Sequence, residues 1–332
     1  MPHSLYVVAC YHTFESNIMN KIKLLVILIL TLGIQTNLKA ETWNEPWQKE
    51  IIQKAEYFVL ANVIELDSLG VHLEIIQNFG KNKLSDRILI NGFSLLTLSS
   101  SSGQGVHYDF EKNQNLYFLL TKKEDGNFAI PTPTSGFAVL DEENNVYATY
   151  RHSYHQALIP KDIYELTYQA IWNHYHNREY DKISVMEFIN EQIKKEPAGF
   201  EENEISTFFL QHASLESAYL LEIPIELSRI EKFAKFDNFH SKVSAVQLMS
   251  LLDNKETKEY LFSFIKSEDN DNFEKVIAIR SLRKIGGKKY NKKLLKISEN
   301  LSDEDTGFGG NIMDPRVGTR FPSPREAVKE TE

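Results

Sequence analysis

The stretch from Lys242 to Ser298 is written twice. Lys242, Val243, Ala245, Val246, Met249, Leu252, Lys255, Leu261, Phe262 and Phe264 recur 33 residues later as Lys275, Val276, Ala278, Ile279, Leu282, Ile285, Lys288, Leu294, Leu295 and Ile297. Each copy, 242–266 and 275–298, reads as helix, short turn, helix, and Gly286-Gly287 forms the turn of the second. A period of this length marks stacked helical pairs, none of which buries its apolar face alone. Two clear units fall short of the roughly three that a free-standing stack needs, so the rest of the chain must supply cover.

Ahead of the repeats the period changes. Tyr57 to Ile64 is β-branched and aromatic, and Val71, Leu73 and Ile75 alternate with His72 and Glu74. Further strand-like runs follow at 87–96, 116–120, 137–140 and 146–150, separated by turn chemistry such as Asp67-Ser68-Leu69-Gly70, Asp125-Gly126 and Asn144-Asn145. After Pro160 the period becomes helical: Tyr164, Tyr168, Ile171, Trp172 and Tyr175 form one apolar stripe. Ser184 to Glu187 reads as a capping-box start, and 203–222 and 226–235 read as a further helical pair. The expected fold class is therefore α+β, with an N-terminal antiparallel β-barrel followed by an all-α repeat region.

The N-terminus carries an export pattern. From Met19, Lys21 and Lys23 precede the apolar run Leu24 to Leu32, and Ala40 offers a cleavage point before Glu41. The run is shorter than the about 20 residues that a spanning helix needs, so it reads as a signal peptide over 19–40. Residues 1–18 make poor sense upstream of a signal and read as a non-native extension. The mature protein is then expected in the periplasm or outside the cell, with no integral membrane segment after cleavage. Five segments result: 1–18, 19–40, a barrel over 41–160, a helical domain over 161–302, and an extended Gly- and Pro-containing tail over 303–332. The sole cysteine, Cys10, precedes the cleavage point, which excludes a disulfide frame or a cysteine metal site in the mature chain. A net charge of −9 argues against a nucleic-acid partner.

Two resemblances follow from particular residues. Ala55 to Val63 resembles the opening strand of netrin modules and tissue inhibitors of metalloproteinases. Phe79-Gly80-Lys81 sits where those modules often carry Tyr-Lys-Gly, and Leu116 to Leu120 resembles their Tyr-Leu-Leu-Phe-Leu strand. The resemblance implies an OB-like barrel. The inhibitors chelate their target's zinc with a disulfide-tied N-terminal cysteine, and the mature chain here has no cysteine, so inhibition does not follow with the fold. The repeats resemble short HEAT units; they lack the signatures of tetratricopeptide and ankyrin repeats.

Motifs for chemistry are sparse. His152/His155 and His174/His176 form two local pairs. Residues three apart on a strand, or two apart on a helix, point away from one another, so neither pair chelates locally. Only a junction bringing together His152, His155 and His174 would make a metal site, and these three are the metal candidates. Asp269 to Asn272 begins like a calcium loop but lacks its turn glycine, and reads as a turn whose Asp271 or Asn272 caps the next helix. Ser263 and Ser281 each open a Ser-x-x-Lys, without the companion motifs of the penicillin-binding class. Aromatic residues including Trp172, Tyr117 and Tyr150 would suit a carbohydrate or peptide groove as well as a core.

No catalytic residue and no cofactor are assigned on this basis. The expected function is a secreted or periplasmic binding or scaffold protein that engages a protein or envelope component. The alternatives are a protease-inhibitor-like module and a hydrolase or metal enzyme with its site at the barrel–helix junction.

Overall fold

The structure is a computed structural model that describes residues 43–91, 96–98, 106–108, 110–132, 135–153, 155–310 and 317–330. The expected export segment and the upstream extension lie outside the described residues. In chain order the first elements are β1 (Trp43–Asn44), α1 (Gln48–Lys54), β2 (Tyr57–Asp67), β3 (Gly70–Asn78), β4 (Arg87–Ile90), β5 (Leu96–Leu98) and β6 (Val106–Tyr108). Next come β7 (Asn115–Lys122), β8 (Phe128–Ala129), β9 (Phe137–Leu140), β10 (Asn145–Ala148) and β11 (Ala157–Pro160). The helices are α2 (Lys161–Tyr175), α3 (Lys182–Lys194), α4 (Ile205–Leu220), α5 (Leu227–Lys235), α6 (Phe239–Leu248), α7 (Lys255–Lys266) and α8 (Asn272–Ile297). The chain ends with β12 (Thr306–Gly310), β13 (Val317–Phe321) and α9 (Pro324–Lys329).

Five strands close a barrel. β2 pairs antiparallel with β3 and β7, β3 with β4, β4 lies parallel to β8, and β8 returns to β7. Side chains alternate across each strand. Tyr57, Val59, Ala61 and Val63 of β2, with Leu116, Phe118 and Leu120 of β7, fill the barrel interior. Their neighbours Phe58, Leu60, Tyr117 and Leu119 face outward and join the core of the helical layer. Both faces of β2 and β7 are thus covered, which is why these strands read as nearly continuous apolar runs rather than as alternation. Register shifts at Leu60/Ala61 and Val63/Glu65 bend β2 around the barrel. The β2–β3 turn needs Gly70: its φ is +144°, and a Cβ there would collide with the carbonyl oxygen of Ile90 on β4.

The same sheet continues from β7 through β9 and β10 to β11, whose end runs directly into α2. The tyrosine stripe of α2 seals onto the barrel's outer face. Phe58 stacks on Phe79 at 4.7 Å, and Tyr164 lies 4.6 Å from Tyr117 and 4.5 Å from Tyr168 between ring centroids. Hydrogen bonds fix two of these rings: Tyr117 donates to Glu165 at 2.7 Å, and Tyr168 donates to the Thr149 carbonyl while accepting from Gln48 Nε2 at 2.7 Å. These rings are core, not the wall of a groove. One continuous core includes Phe58 and Val146 on one side of residue 160 and Ile171, Leu215 and Val276 on the other.

The doubled sequence forms α6–α7 and the two halves of α8. Val243, Ala245 and Val246, and their counterparts Val276, Ala278 and Ile279, are all fully buried. α6 packs on α8, and α7 packs on α8 as well. Gly287, at φ +58°, breaks α8 where the repeat demands a turn. Asp271 caps α8 in a full capping box with Glu274. The start of α3 lies one turn earlier than Ser184: the helix begins at Lys182, and Asp181 is the N-cap that accepts from the Ser184 amide. Asp181 supplies a carboxylate there, so Ser184 falls inside the first turn.

The described residues of the tail pack on both parts of the fold. β13 pairs with β12 and, in parallel, with β1. Phe321 packs 5.5 Å from Trp47 and 4.9 Å from Phe273. The expected extended form stops at Ser323: Ser323-Pro324-Arg325-Glu326 is a capping box with proline in the first turn, and it starts α9. α9 docks on α8 through Arg280, which bonds both carboxylate oxygens of Glu330 at 2.7 and 3.0 Å. No helix among the described residues is long and apolar enough to cross a membrane.

Candidate functional site

The connection between β10 and β11 is a loop buried in the seam between barrel and helices. Thr149, Tyr150, Arg151, His152 and His155 are all buried. Loops normally lie at the surface because interior backbone and side-chain polar groups must find partners. Arg151 is the group that makes this burial possible. Its Nε donates to Glu216 Oε1 at 2.8 Å, and its Nη2 donates to Ser244 Oγ at 2.6 Å and to the His240 carbonyl at 3.1 Å. Ser244 in turn donates to Glu216 Oε1 at 2.6 Å. The Arg151 carbonyl accepts from the Gln48 amide at 2.9 Å. One residue thereby ties the barrel's sheet to α1, α4 and α6. The side chains of the pair are 0% and 1% exposed.

Three imidazoles pack around this pair. The ring of His155 stacks 3.7 Å from that of His240 and stands edge-on 4.3 Å from that of His212. Ser244 spends its one proton on Glu216, so the 3.4 Å contact between Ser244 Oγ and His212 Nδ1 assigns the proton of that contact to the histidine. Burial pulls His155 down to about 2, helped by the charges of His240 and Arg151. Burial, and then Arg151, take His240 to about 3. His212 is held well below its ordinary value by burial and by the neighbouring His155 and Arg151. The cluster is therefore neutral at pH 7.

The metal candidates fall in three places. His152 donates through Nε2 to the Glu45 carbonyl at 3.1 Å and packs against Trp47 and Phe321. His155 joins His212 and His240. His174 is in the last turn of α2 and lines a separate cleft of about 1030 Å³ with Tyr180, Ile183 and Met186. Among the described residues no group of three or more His, Cys, Asp or Glu side chains is spaced to hold a metal ion.

Beside Arg151 the seam opens into a cavity of about 280 Å³. Its apolar walls are Trp47, Tyr150, Tyr219, Leu220 and Ile277; Lys49, Glu50, Arg280 and Lys284 carry charge into it, and Gln247, Ser250 and Ser281 supply neutral polar groups. Three of its four cations have ion pairs: Lys49 with Glu222 at 3.7 Å, Arg280 with Glu330 at 2.7 Å, and Arg151 with Glu216. Lys284 has none among the described residues; its ammonium is held below its ordinary pKa by burial first and by Lys49 second, while Glu222 opposes the shift. Gln247 Oε1 and Ser250 Oγ, on residues of the lining, are closed to solvent and have no hydrogen-bond partner among the described residues. Native proteins rarely leave such atoms unsatisfied, because each costs about 1–3 kcal/mol.

Sequence reasoning pointed to this junction but not to most of its residues. Arg151, Glu216, Ser244, His212 and His240 come from three separate elements, the β10–β11 loop, α4 and α6. The one local signal is in α4, where His212 and Glu216 lie one turn apart in a helix with no other Asp, Glu, Lys, Arg or His. The fold and seam define an α+β protein with a closed barrel fused through a common core to a helical layer. No protein-family model matches the chain, and no curated protein or solved structure is significantly similar to it.

Proposed function

We propose that this chain is an exported, non-catalytic binding protein that engages its partner through the seam cavity. The observation that carries the reading is a concave site of about 280 Å³ that joins aromatic walls, Trp47, Tyr150 and Tyr219, to charged groups at its edge, Lys49, Glu50 and Lys284. The serine, histidine and glutamate that meet at the junction support a structural rather than a nucleophilic role. Ser244 is 1% exposed, and the Glu216 carboxylate that accepts its proton is paired with Arg151 and so is a weak base; the serine oxygen is therefore not activated and has no path to a substrate. A protein or envelope component suits the export pattern of 19–40. In this reading the closed barrel is OB-like, and the α6–α8 pairs are HEAT-like units whose exposed face is secondary to the seam.

The test is thermal denaturation of the purified protein in the presence of short peptides and small polar molecules. A ligand of the seam present at about a hundredfold its Kd adds about 2.7 kcal/mol of stability and raises Tm by several degrees. Ser281→Leu, which fills the cavity from α8, is expected to keep the fold and lose that rise. Turnover of any added compound, or a rise that Ser281→Leu leaves intact, contradicts the proposal.

A further inference from the structure

We propose that the second half of α8 is a docking face for an anionic lipid surface, a bilayer whose headgroups carry net negative charge. This face goes beyond the seam reading and is independent of it. Three observations on α8 converge.

The first is the segregation of charge. From Lys275 to Ser298 the chain has seven lysines, two arginines and not one aspartate or glutamate. The whole chain carries −9, so these nine cations leave −18 on the remainder. Water satisfies any one of the ammonium groups singly. What sets the stretch apart is the concentration of one sign on a chain of the opposite sign, which turns this side of the molecule toward a negative surface. The helix dipole accounts for Lys296, in the last turn, but not for Lys288 and Lys292, which lie further from the C-terminal carbonyls.

The second is the direction of the charges. Tyr290 and Leu294, 4% and 0% exposed, fix one side of the half-helix in the core, where Tyr290 meets Phe262 of α7 edge-on at 6.4 Å. The opposite side carries Lys288, Lys292 and Lys296, at the i, i+4, i+8 spacing of one helix face, with Lys289 beside them, and all four are exposed. Leu295 stands among them at 55% exposure. This arrangement suits a helix lying along a headgroup layer, its ammonium groups on phosphates and its leucine at the acyl boundary.

The third is the kind of cation. An arginine fork reads one particular phosphate, whereas lysine is a point charge that suits a diffuse field. Both arginines of the stretch are committed internally: Arg280 bonds both carboxylate oxygens of Glu330, and Arg283 donates to the carbonyls of Ala327 and Glu330. A single-stranded nucleic acid asks for open aromatic rings on which bases stack. Here Tyr290 is buried, and the Lys293 ammonium lies 4.6 Å over its ring and 5.1 Å over that of Phe262. The exposed apolar group is aliphatic, which matches the edge of a bilayer.

Sedimentation of the purified protein with vesicles of phosphatidylcholine, alone or with about one-third phosphatidylglycerol, is the test. The anionic vesicles are expected to bind at least about tenfold more tightly, and salt raised to about 1 M is expected to abolish the difference by screening. Each lysine at such a surface strengthens binding by about fivefold, so the triple variant Lys288→Gln, Lys292→Gln, Lys296→Gln is expected to weaken it by about a hundredfold. The same charge removed from the barrel, in Lys81→Gln, Lys83→Gln, Lys112→Gln, is expected to leave it nearly unchanged. Leu295→Gln is expected to weaken it by about tenfold. All these side chains are exposed, so the variants are expected to keep the parent Tm, which separates lost binding from a lost fold. Equal binding to the two kinds of vesicle, equal loss in the two triple variants, or an unchanged affinity in Leu295→Gln overturns the proposal. Displacement from the vesicles by duplex DNA at equal phosphate concentration also overturns it and assigns the face to a nucleic acid.

Discussion

Arg151→Met is expected to be among the most damaging single substitutions in the chain. The guanidinium is the charged partner of Glu216 in a pair that is almost wholly excluded from solvent. Removing it leaves a buried carboxylate without its counter-charge, which costs about 3–5 kcal/mol. It also releases Ser244 and the His240 carbonyl from their donor. Domains of this kind are stable by about 5–15 kcal/mol, so the variant loses a large fraction of its stability or fails to accumulate. The double variant Arg151→Met, Glu216→Leu removes both charges together, and replacing a buried pair by apolar groups of similar volume is often nearly neutral. It is therefore expected to recover most of the loss, with a coupling of about 2 kcal/mol or more in urea denaturation. A single variant with an unchanged midpoint, or a double variant no better than the single, means that the pair does not join barrel to helices.

Acid is expected to unfold the protein well above the pH at which most carboxylates titrate. His152, His155, His212 and His240 are all held neutral in the folded state, in each case chiefly by burial. The sign follows from linkage. Their unfolded pKa is about 6.5, and in the fold His152 falls to about 4, His240 to about 3 and His155 to about 2. Below pH 6.5 the unfolded chain binds more protons than the folded one, so stability falls as pH falls. Above about pH 7 the four groups are neutral in both states and the contribution is flat. Each group costs up to about 1.4 kcal/mol per pH unit in that window, and four together approach about 5 kcal/mol per unit below pH 6. One group opposes them. Burial and Asp271 raise Glu274 to about 7, so its protonated form is favoured in the fold and it adds stability as pH falls from 7 toward 4.5. One carboxyl does not offset four imidazoles. Urea midpoints measured from pH 8 to pH 4.5 are expected to be level to about pH 7 and then to drop steeply, with His155→Phe flattening the slope. A midpoint that is constant between pH 7 and pH 5 contradicts the buried, neutral cluster.

The parts of the fold legible in the sequence are those set by local pattern. The tyrosine stripe of α2, the doubled helices and the Gly287 break follow from spacing alone, and the long apolar runs of β2 and β7 mark strands. What spacing does not reveal is which strand closes the barrel. β8 is two residues long, and its pairing to β4 and β7 is set by distant neighbours. The helix α9 was readable from Ser323-Pro324-Arg325-Glu326, but the glycines and prolines before it masked the signal. The seam was the least legible feature. Its centre is an arginine in a loop, where an exposed side chain is the ordinary expectation, and its partners lie 65 and 93 residues away. The tandem repeats, the most conspicuous feature of the sequence, contribute α6 and α8 as the floor of the cavity.

The most direct measurement is a crystal structure of the protein grown with an N-acetylated tripeptide bearing a free C-terminal carboxylate. The expected result is density for the peptide in the seam cavity, in contact with Trp47 and Tyr219. A saturated complex with the peptide bound elsewhere, leaving the seam cavity without a ligand, would contradict the assignment of the seam as the binding site.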